Sequence, residues 1–371
     1  MRNYRHVGLD VHSKTISIAV ASADGLRSLG KIANDVVTLK KTLSKIGIPE
    51  ELRVVYEAGP TGYGLFRELR KWGADCAVIA PTLVPRLEGD RVKTDRRDAK
   101  KLAQFSFGGL LTEVSVPDQM DEAVRDLVRA REAAKKDQTR ARHQLSKLLL
   151  RRGVKLPMKK WSKGFVPWLR TLRFEERAAQ YALEEGIAEV EHQTTRVERL
   201  EGQLREVVVD LSEIRQEVVK ALQGFKGIKF ITAITIVAEV GDMMRFAHPT
   251  QLMSYSGNVP SEYSSGEQVR RGAITKRGNA HLRRVVGEAA WSYSRGIATP
   301  GPTILKRRNG LSAGVVQILE KADHRLRSRY RALVAKGKHR NKVTTAVARE
   351  LLGFVWDVAV HVQMEQAKKA A

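Results

Sequence analysis

The order of predicted elements in the first 105 residues constrains the fold of this chain more than any other feature. Stretches with the period-two alternation of a strand come between stretches whose apolar residues have helical spacing. Asp24-Gly25 is typical of a hairpin turn, and Gly59-Pro60 and Pro81 each break an apolar run. The predicted elements in order are strands at 7–11, 16–20 and 26–33, a helix at 35–46, a strand at 53–56, a helix at 62–72, a strand at 76–80 and a further helix.

Alternating strands and helices indicate an α/β domain. Three strands followed by helix, strand, helix, strand and helix is the order of a ribonuclease-H-like domain. Other α/β domains share this order loosely, so it does not assign a function by itself.

The middle of the chain predicts two long helices. The first, at about 121–152, is rich in Lys and Arg, and the second, at about 181–222, carries an apolar heptad seam. A Gly/Pro-interrupted stretch with Trp161 and Trp168 connects them. The pair predicts an antiparallel coiled-coil hairpin or a dimer stalk. The seam consists of Val197, Leu200, Leu204, Val207, Leu211, Ile214, Val218 and Ala221.

The charge of the chain favours a polyanionic partner. Lys and Arg number 66 against 41 Asp and Glu, a net charge of +25, and nucleic acid is the commonest partner of such a chain. The single cysteine, Cys76, excludes a disulfide scaffold and a cysteine-cluster zinc site. The longest apolar stretch, 230–240, is too short to span a bilayer, so we expect neither a membrane protein nor a secreted one.

Four acidic residues stand out by their positions in the predicted α/β domain. Asp10 lies in the first strand, Glu57 ends the strand at 53–56, and Asp95 and Asp98 are spaced to share one face of a helix. Each alone is typical of a solvated charge, a turn residue or a helix cap. In a ribonuclease-H-like sheet, however, these positions converge. Because carboxylate oxygens are natural ligands of Mg²⁺ (or Mn²⁺), we predict a metal site suited to cutting a phosphodiester.

A second group of candidate residues lies in a Ser/Gly/Arg-rich loop. The loop contains Ser264 and Ser265, and closely spaced glycines and cations favour a backbone near phosphates. A serine there could attack phosphorus while the cations stabilise the transition-state charge. The alternative is a flexible loop whose hydroxyls only bond phosphate. No histidine within the loop offers a general base, and His281 lies just beyond it.

Several cations are candidate nucleic-acid contacts. The segment 223–229 also resembles a degenerate helix-hairpin-helix, in which Lys229 replaces the second hairpin glycine, although an ordinary packing unit explains it equally well. The candidate cations are Arg270, Arg271, Lys276, Arg277, Arg283 and Arg284 near the loop, and Arg140 and Arg142 in the first long helix.

An ordered series of motifs resembles the DEDD-type transposases, or recombinases, of insertion sequences that encode a bridge (or seeker) RNA. Asn279 departs from the family pattern, which has a His-like residue there, and Lys229 departs as described. The matching motifs are Gly8-Leu9-Asp10-Val11, Tyr56-Glu57-Ala58-Gly59-Pro60-Thr61-Gly62, Lys93-Thr94-Asp95-Arg96-Arg97-Asp98-Ala99, Arg245-Phe246-Ala247-His248, the loop from Pro260 to Gly266, Lys276-Arg277-Gly278 and Leu282-Arg283-Arg284.

The resemblance implies three domains and a reaction. The domains are a RuvC-like DEDD domain at 1–120, coiled-coil helices at 121–223 and a mainly α-helical serine transposase domain at 224–371. Ser265 takes the place of the nucleophile, with Ser264 as the alternative one residue away. Members of the family join donor and target DNA that a guide RNA reads, through a transient serine–DNA link. The metal-bound acids act from a different protomer of a homodimer or homotetramer.

The resemblance also implies a location, and two rival functions remain open. The protein is expected in the cytoplasm of a bacterium or archaeon, associated with the nucleoid. The first rival is a RuvC-like Holliday-junction resolvase, which hydrolyses DNA without a covalent step and gives Ser265 no role. The second is a non-enzymatic RNA-binding scaffold whose acids are surface charge.

Overall fold

The structure, a computed structural model, describes residues 4–85, 94–265, 268, 270–294 and 299–370. The chain divides into two compact units, Met1–Val116 and Pro117–Ala371. Lys93 of the third motif, and Gly266 and Glu267 of the serine loop, lie outside the described residues. The three-domain division remains a prediction.

The described part of the first unit is a five-stranded mixed sheet with three α-helices, as the alternation of elements predicts. The strand order is β3-β2-β1-β4-β5. β1 is antiparallel to β2 and parallel to β4, so the first strand does lie beside the strand after the first helix. The elements are β1 (Arg5–Val11), β2 (Thr15–Ser22), β3 (Gly25–Ala33), α1 (Val36–Ser44), β4 (Leu52–Glu57), α2 (Gly64–Lys71), β5 (Asp75–Ile79) and α3 (Asp95–Phe107).

Side chains that alternate along β1 cover the two faces of this sheet. Val7 and Leu9 are fully buried in the main core, together with Leu39 and Leu43 of α1 and Leu69 of α2. The opposite face of β1 carries His6, Gly8 and Asp10, because strand residues two apart share a face.

The helix α3 lies directly on Gly8 and leaves no room for a side chain at this position. A Cβ atom at Gly8 would stand 2.2 Å from the carbonyl oxygen of Ala99 and 2.4 Å from the amide nitrogen of Ala103. Ala19 and Ala21 of β2 pack against the same two alanines. Small residues on both surfaces therefore bring the backbone of α3 close to β1, on the face that carries Asp10.

Where the structure describes it, the second unit is helical apart from a short hairpin and the connections. Among the described residues, no helix is both long enough and apolar enough to cross a membrane. The elements are α4 (Gln119–Arg151), α5 (Phe165–Leu169), α6 (Arg177–Val207), α7 (Glu213–Leu222), α8 (Phe230–Val240), α9 (Pro249–Tyr255), β6 (Pro260–Glu262), β7 (Arg271–Ile274), α10 (Ala280–Ala290), α11 (Pro302–Arg308), α12 (Ala313–Ala335) and α13 (Arg340–Ala370).

The helices α4 and α6 pack against each other in antiparallel orientation. Residues near the start of α4 contact residues near the end of α6, and later residues of α4 contact earlier ones of α6. Arg131 pairs with Glu201, and Gln138 bonds Thr194 at 2.9 Å. Leu145 lies against Gly186. The predicted helical hairpin is present, whereas a coiled coil or a dimer stalk remains a prediction.

The prediction of one continuous helix over 181–222 was wrong. The helix α6 ends at Val207, a short 3₁₀ turn follows, and Leu211 is extended before α7 begins. Valines at three successive positions, 207–209, disfavour a helix because β-branching restricts their side-chain rotamers. Leu211, Val218 and Ala221 of the heptad seam therefore pack into a core that α7 shares with α8 and α13, whereas Ile214 is exposed.

Candidate active site

Two of the predicted acids lie at the same level on neighbouring parallel strands. Leu9 of β1 is in register with Tyr56 of β4, so Asp10 and Glu57 each come one residue after this last pair. Neighbouring strands are about 4.8 Å apart, and residues in register point to the same face. The side chain of Asp10 is 20 % exposed, and Glu57 is exposed at the end of its strand.

The other two acids come to this place on the first turn of α3. The hydroxyl of Thr94 caps the helix by accepting from the amide of Arg97 at 3.4 Å. Asp95 and Asp98 follow on that turn, where carboxylates also favour the positive end of the helix dipole. The packing of α3 on Gly8 then brings Asp95 toward Asp10.

A histidine that the sequence analysis missed completes this group. The Nε2 atom of His12 is 3.3 Å from Oδ2 of Asp10 and 3.5 Å from Oδ1 of Asp95. Its signal in the sequence was the spacing Asp10-x-His12 just beyond a strand. Ligand atoms of Asp10, His12 and Asp95 all lie within 4.8 Å of one another. Glu57 and Asp98 are not part of this tight group, although the charge of Asp98 acts on Asp10.

The electrostatics of the group favour a bound cation. Burial raises the pKa of Asp10, and the carboxylates of Asp95 and Asp98 raise it further against the opposing effect of His12. The hydrogen bond from Lys31 Nζ to Asp95, 2.9 Å long, lowers the pKa of Asp95. Two carboxylates and an imidazole nitrogen at these distances are a donor set that fits a divalent cation.

The predicted serine loop is a β-hairpin formed by β6 and β7. Beyond the end of β6, Ser265 and Gln268 form an isolated bridge and exchange two backbone hydrogen bonds of 3.2 Å. The hydroxyl of Ser264 donates to Oε1 of Glu262 at 2.9 Å. Ser265 is exposed, and its hydroxyl has no hydrogen-bond partner within the described part of the chain. The two candidate nucleophiles thus have different surroundings.

The candidate cations divide into exposed and internally bonded groups. Arg270 and Arg271 are exposed on the hairpin, where Arg271 pairs with Glu262, and Lys276 and Arg277 are exposed just after it. Arg283 instead donates to the carbonyl oxygen of Ser256 at 2.7 Å.

Arg284 is also engaged inside the unit. Its guanidinium lies 3.0 Å from Glu132 of α4, and the same carboxylate oxygen is 2.6 Å from Nδ1 of His281. Although burial opposes it, hydrogen bonds from Lys136, His281 and Arg284 lower the pKa of Glu132 to about 2. His281 therefore has a structural partner 149 residues away in sequence.

The two candidate cations of α4 also make contacts within the chain. Arg140 is exposed and pairs with Asp137 at 2.8 Å. The guanidinium of Arg142 lies 5.3 Å from the ring centroid of Trp161, which is a cation–π contact.

Two glycines allow the base of the hairpin to close tightly. Gly257 and Gly278 both have positive φ, 69° and 86°. A Cβ atom at Gly257 would stand 2.0 Å from the carbonyl oxygen of Arg277, and one at Gly278 would stand 2.2 Å from that of Tyr255. Any larger residue at these positions would push the two ends of the hairpin apart.

A buried carboxylate holds the same base to the helical core. Glu239 of α8 is fully buried and accepts two hydrogen bonds from Arg129, 2.8 and 2.9 Å, and one of 2.7 Å from Asn279. Its backbone carbonyl accepts from the hydroxyl of Tyr255 at 3.0 Å. Although burial opposes it, these side-chain hydrogen bonds lower the pKa of Glu239. Tyr255 precedes the hairpin and Asn279 follows it, so Glu239 fixes both ends.

Replacing Glu239 with alanine is expected to destabilise the helical unit by about 3 kcal/mol, because it leaves Arg129 and Asn279 without their buried partner. Urea unfolding followed by circular dichroism measures this. The matched control is Glu191→Ala, which breaks an exposed pair with Arg170 and should cost less than about 1 kcal/mol. Equal, small effects of the two substitutions would show that the buried network contributes little.

The comparisons with known proteins show that this chain is similar to transposases. Residues 7–152 match the family model of the IS110-type DEDD transposases, and residues 219–299 match a model described as the transposase IS116/IS110/IS902 family. The chain is 41 % identical to a putative transposase, y4qE, of Sinorhizobium fredii, over 95 % of this chain and 88 % of the relative. It is 32 % identical to the transposase for insertion sequence element IS1533 of Leptospira borgpetersenii, over 91 % and 99 % of the two chains.

Proposed function

This chain belongs to the IS116/IS110/IS902 family of transposases, and from that premise we propose that it is an RNA-guided enzyme that joins donor and target DNA through a covalent serine–DNA link. Mg²⁺ (or Mn²⁺) held by Asp10, Glu57, Asp95 and Asp98 would assist the reaction. The transposase activity follows from the family. The guide RNA, the serine link and the identity of the metal are the proposal.

The observation that carries the metal-dependent part is the meeting of Asp10, His12 and Asp95 beside the first turn of α3. The strand order β3-β2-β1-β4-β5, with β1, β4 and β5 parallel, is the order of a ribonuclease-H/RuvC-like sheet and supports that assignment. When bound, the ion would neutralise charge that develops on the reacting phosphodiester. Asp10 and Asp95 would bind it, with Glu57 and Asp98 as its further ligands.

The hairpin supports the covalent part of the proposal. The Ser265 Oγ atom would form a bond to phosphorus as the bond from phosphorus to a deoxyribose oxygen breaks, and the serine proton would leave to solvent or to the departing oxygen. A hydroxyl at the end of the other DNA would then attack the same phosphorus and release the serine. Arg270, Arg271, Lys276 and Arg277 are exposed and would stabilise the phosphate charge.

The charge of the chain supports binding of a guide RNA. The net charge of +25 and the basic helix α4 suit a second nucleic acid besides DNA. We propose a homodimer or homotetramer bound to a guide RNA, working at the nucleoid of a bacterial or archaeal cytoplasm.

The test is to trap the covalent link with the wild-type protein. The protein is purified with its bound nucleic acid, incubated with Mg²⁺ and a nicked donor DNA whose cut end diffuses away, and then digested for peptide mapping. We expect a DNA adduct on Ser265 and a discrete RNA in the purified complex. Cleavage with no adduct would support the junction resolvase, and no cleavage with any divalent metal would support the RNA-binding scaffold. An adduct on Ser264 would move the nucleophile by one residue.

A further inference from the structure

The turn between α12 and α13 is the most basic part of the chain outside the regions already discussed. Between Asp323 and Glu350 there is no acidic residue. This segment lies beyond residues 7–152 and 219–299, which the family models match. Its cations are Arg325, Arg327, Arg329, Arg331, Lys336, Lys338, Arg340, Lys342 and Arg349.

Five of these cations at the turn are free to bind a ligand. Arg325 and Arg329, farther along α12, both pair with Glu350. The five free cations are exposed, and they form no ion pair or side-chain hydrogen bond with any described residue. They are Arg331, Lys336, Lys338, Arg340 and Lys342.

The backbone of the turn is well defined, so these side chains share one location. Gly337 has a φ of 70°, and the amides of Gly337 and Lys338 donate to the last turn of α12 at 2.9 and 3.2 Å. This arrangement ends a helix cleanly. On the other side, Nδ1 of His339 accepts from the amide of Asn341 at 3.3 Å and caps α13. The cations therefore lie on the last turn of one helix, the connection and the first turn of the next.

We propose that this basic turn, formed by Arg331, Lys336, Lys338, Arg340 and Lys342, binds the phosphate backbone of duplex DNA. Lys and Arg without acidic neighbours suit phosphates and carry no preference for particular bases. Proteins that bind single strands or unpaired RNA bases stack them on aromatic rings. Residues 331–353 contain no Phe, Tyr or Trp, which favours a duplex.

The basic turn belongs to the same compact unit as the serine hairpin but not to its immediate surroundings. The helix α13 contacts α9 through Gly353, which lies close to Met253 just before the hairpin. Arg340 begins α13 thirteen residues earlier, so at 1.5 Å per residue it is about 20 Å away along the helix. The turn would hold DNA that flanks the reacting bond. This role rests on the transposase activity of the chain, and it needs neither the guide RNA nor the serine link.

The experiment compares two variants with equal losses of charge. The first changes Lys336, Lys338, Arg340 and Lys342 to glutamine, which keeps good helix propensity at the two positions inside α13, Arg340 and Lys342. The matched control changes four exposed lysines of the α4–α6 connection to glutamine. These are Lys155, Lys159, Lys160 and Lys163. Binding of a 30-base-pair duplex, roughly 100 Å long at about 3.4 Å per pair, is measured without metal over a range of salt, so no strand transfer contributes.

We expect the first variant to lower the slope of log affinity against log salt by about 2 to 4, because each lost phosphate contact contributes about 0.9. Affinity in 0.1 M salt should fall at least tenfold, while the control stays within about twofold of the wild type. Equal losses in both variants would show an effect of net charge alone and overturn the proposal. An unchanged slope, or a loss of affinity confined to single-stranded or RNA probes, would also overturn the proposal.

If the first variant unfolds, a smaller variant tests the same proposal. A double variant, Lys336→Gln with Lys338→Gln, removes two contacts outside α13 and should lower the slope by about 1 to 2. If this folded double variant binds duplex DNA like the wild type across the salt range, the proposal is wrong.

Discussion

Replacing Asp10 with asparagine is expected to reduce strand transfer at least about 100-fold while the protein stays folded. The substitution removes a charged ligand from the group formed with His12 and Asp95. Stability without metal should be unchanged or higher, because burial and the neighbouring carboxylates disfavour the charged form of Asp10 and raise its pKa. The measurements are recombination activity and thermal unfolding, each with and without Mg²⁺.

The thermal measurement separates loss of metal from loss of fold. A ligand that binds only the folded protein stabilises it by RT ln(1 + [L]/Kd), which grows as the ligand binds more tightly. Mg²⁺ should therefore raise the Tm of the wild type more than that of Asp10→Asn. The matched control is Asp24→Asn, an exposed acid in the turn between β2 and β3 of the same sheet. It should leave both readouts unchanged. Full recombination activity in Asp10→Asn would exclude the metal site.

The sequence predicted the elements of the α/β unit but not all of its candidate site. Strand and helix periods are local signals, and the adjacency of Asp10 and Glu57 follows from the expected strand order. The approach of Asp95 also depends on α3 lying flat on Gly8, which is a tertiary contact. His12 escaped prediction for the same reason. One histidine beyond a strand has no significance until a second element brings Asp95 to it.

The helical unit shows where charge patterns are ambiguous. Arg283 and Arg284 belong to the same basic run as Arg270 and Arg271, yet their guanidinium groups bond Ser256 and Glu132 inside the unit. Their partners are 27 and 152 residues away in sequence, so no local pattern separates them from exposed cations. The heptad seam was ambiguous in the same way, since its apolar spacing continues across the break after Val207.

Replacing Ser265 with alanine is expected to eliminate the protein–DNA adduct and to reduce strand transfer at least about 10³-fold, because the nucleophile itself is removed. Binding of DNA, RNA and Mg²⁺ should persist, since Ser265 is exposed and its hydroxyl has no partner within the described part of the chain. Adduct formation on a nicked DNA and affinity for the same DNA are measured in parallel. A loss of both would indicate a disturbed hairpin instead of a missing nucleophile.

The neighbouring serine supplies the matched control and the sharpest alternative. Ser264→Ala removes a hydroxyl of the same size, one residue away, and should retain the adduct. The Ser264 hydroxyl already donates to Glu262, whose pKa is lowered by that hydrogen bond and by Arg271. A carboxylate with a lowered pKa is a weak base, so this contact does not activate Ser264 strongly. If Ser264→Ala loses the adduct while Ser265→Ala keeps it, the nucleophile is Ser264, and its hydrogen bond to Glu262 becomes the first place to seek the base.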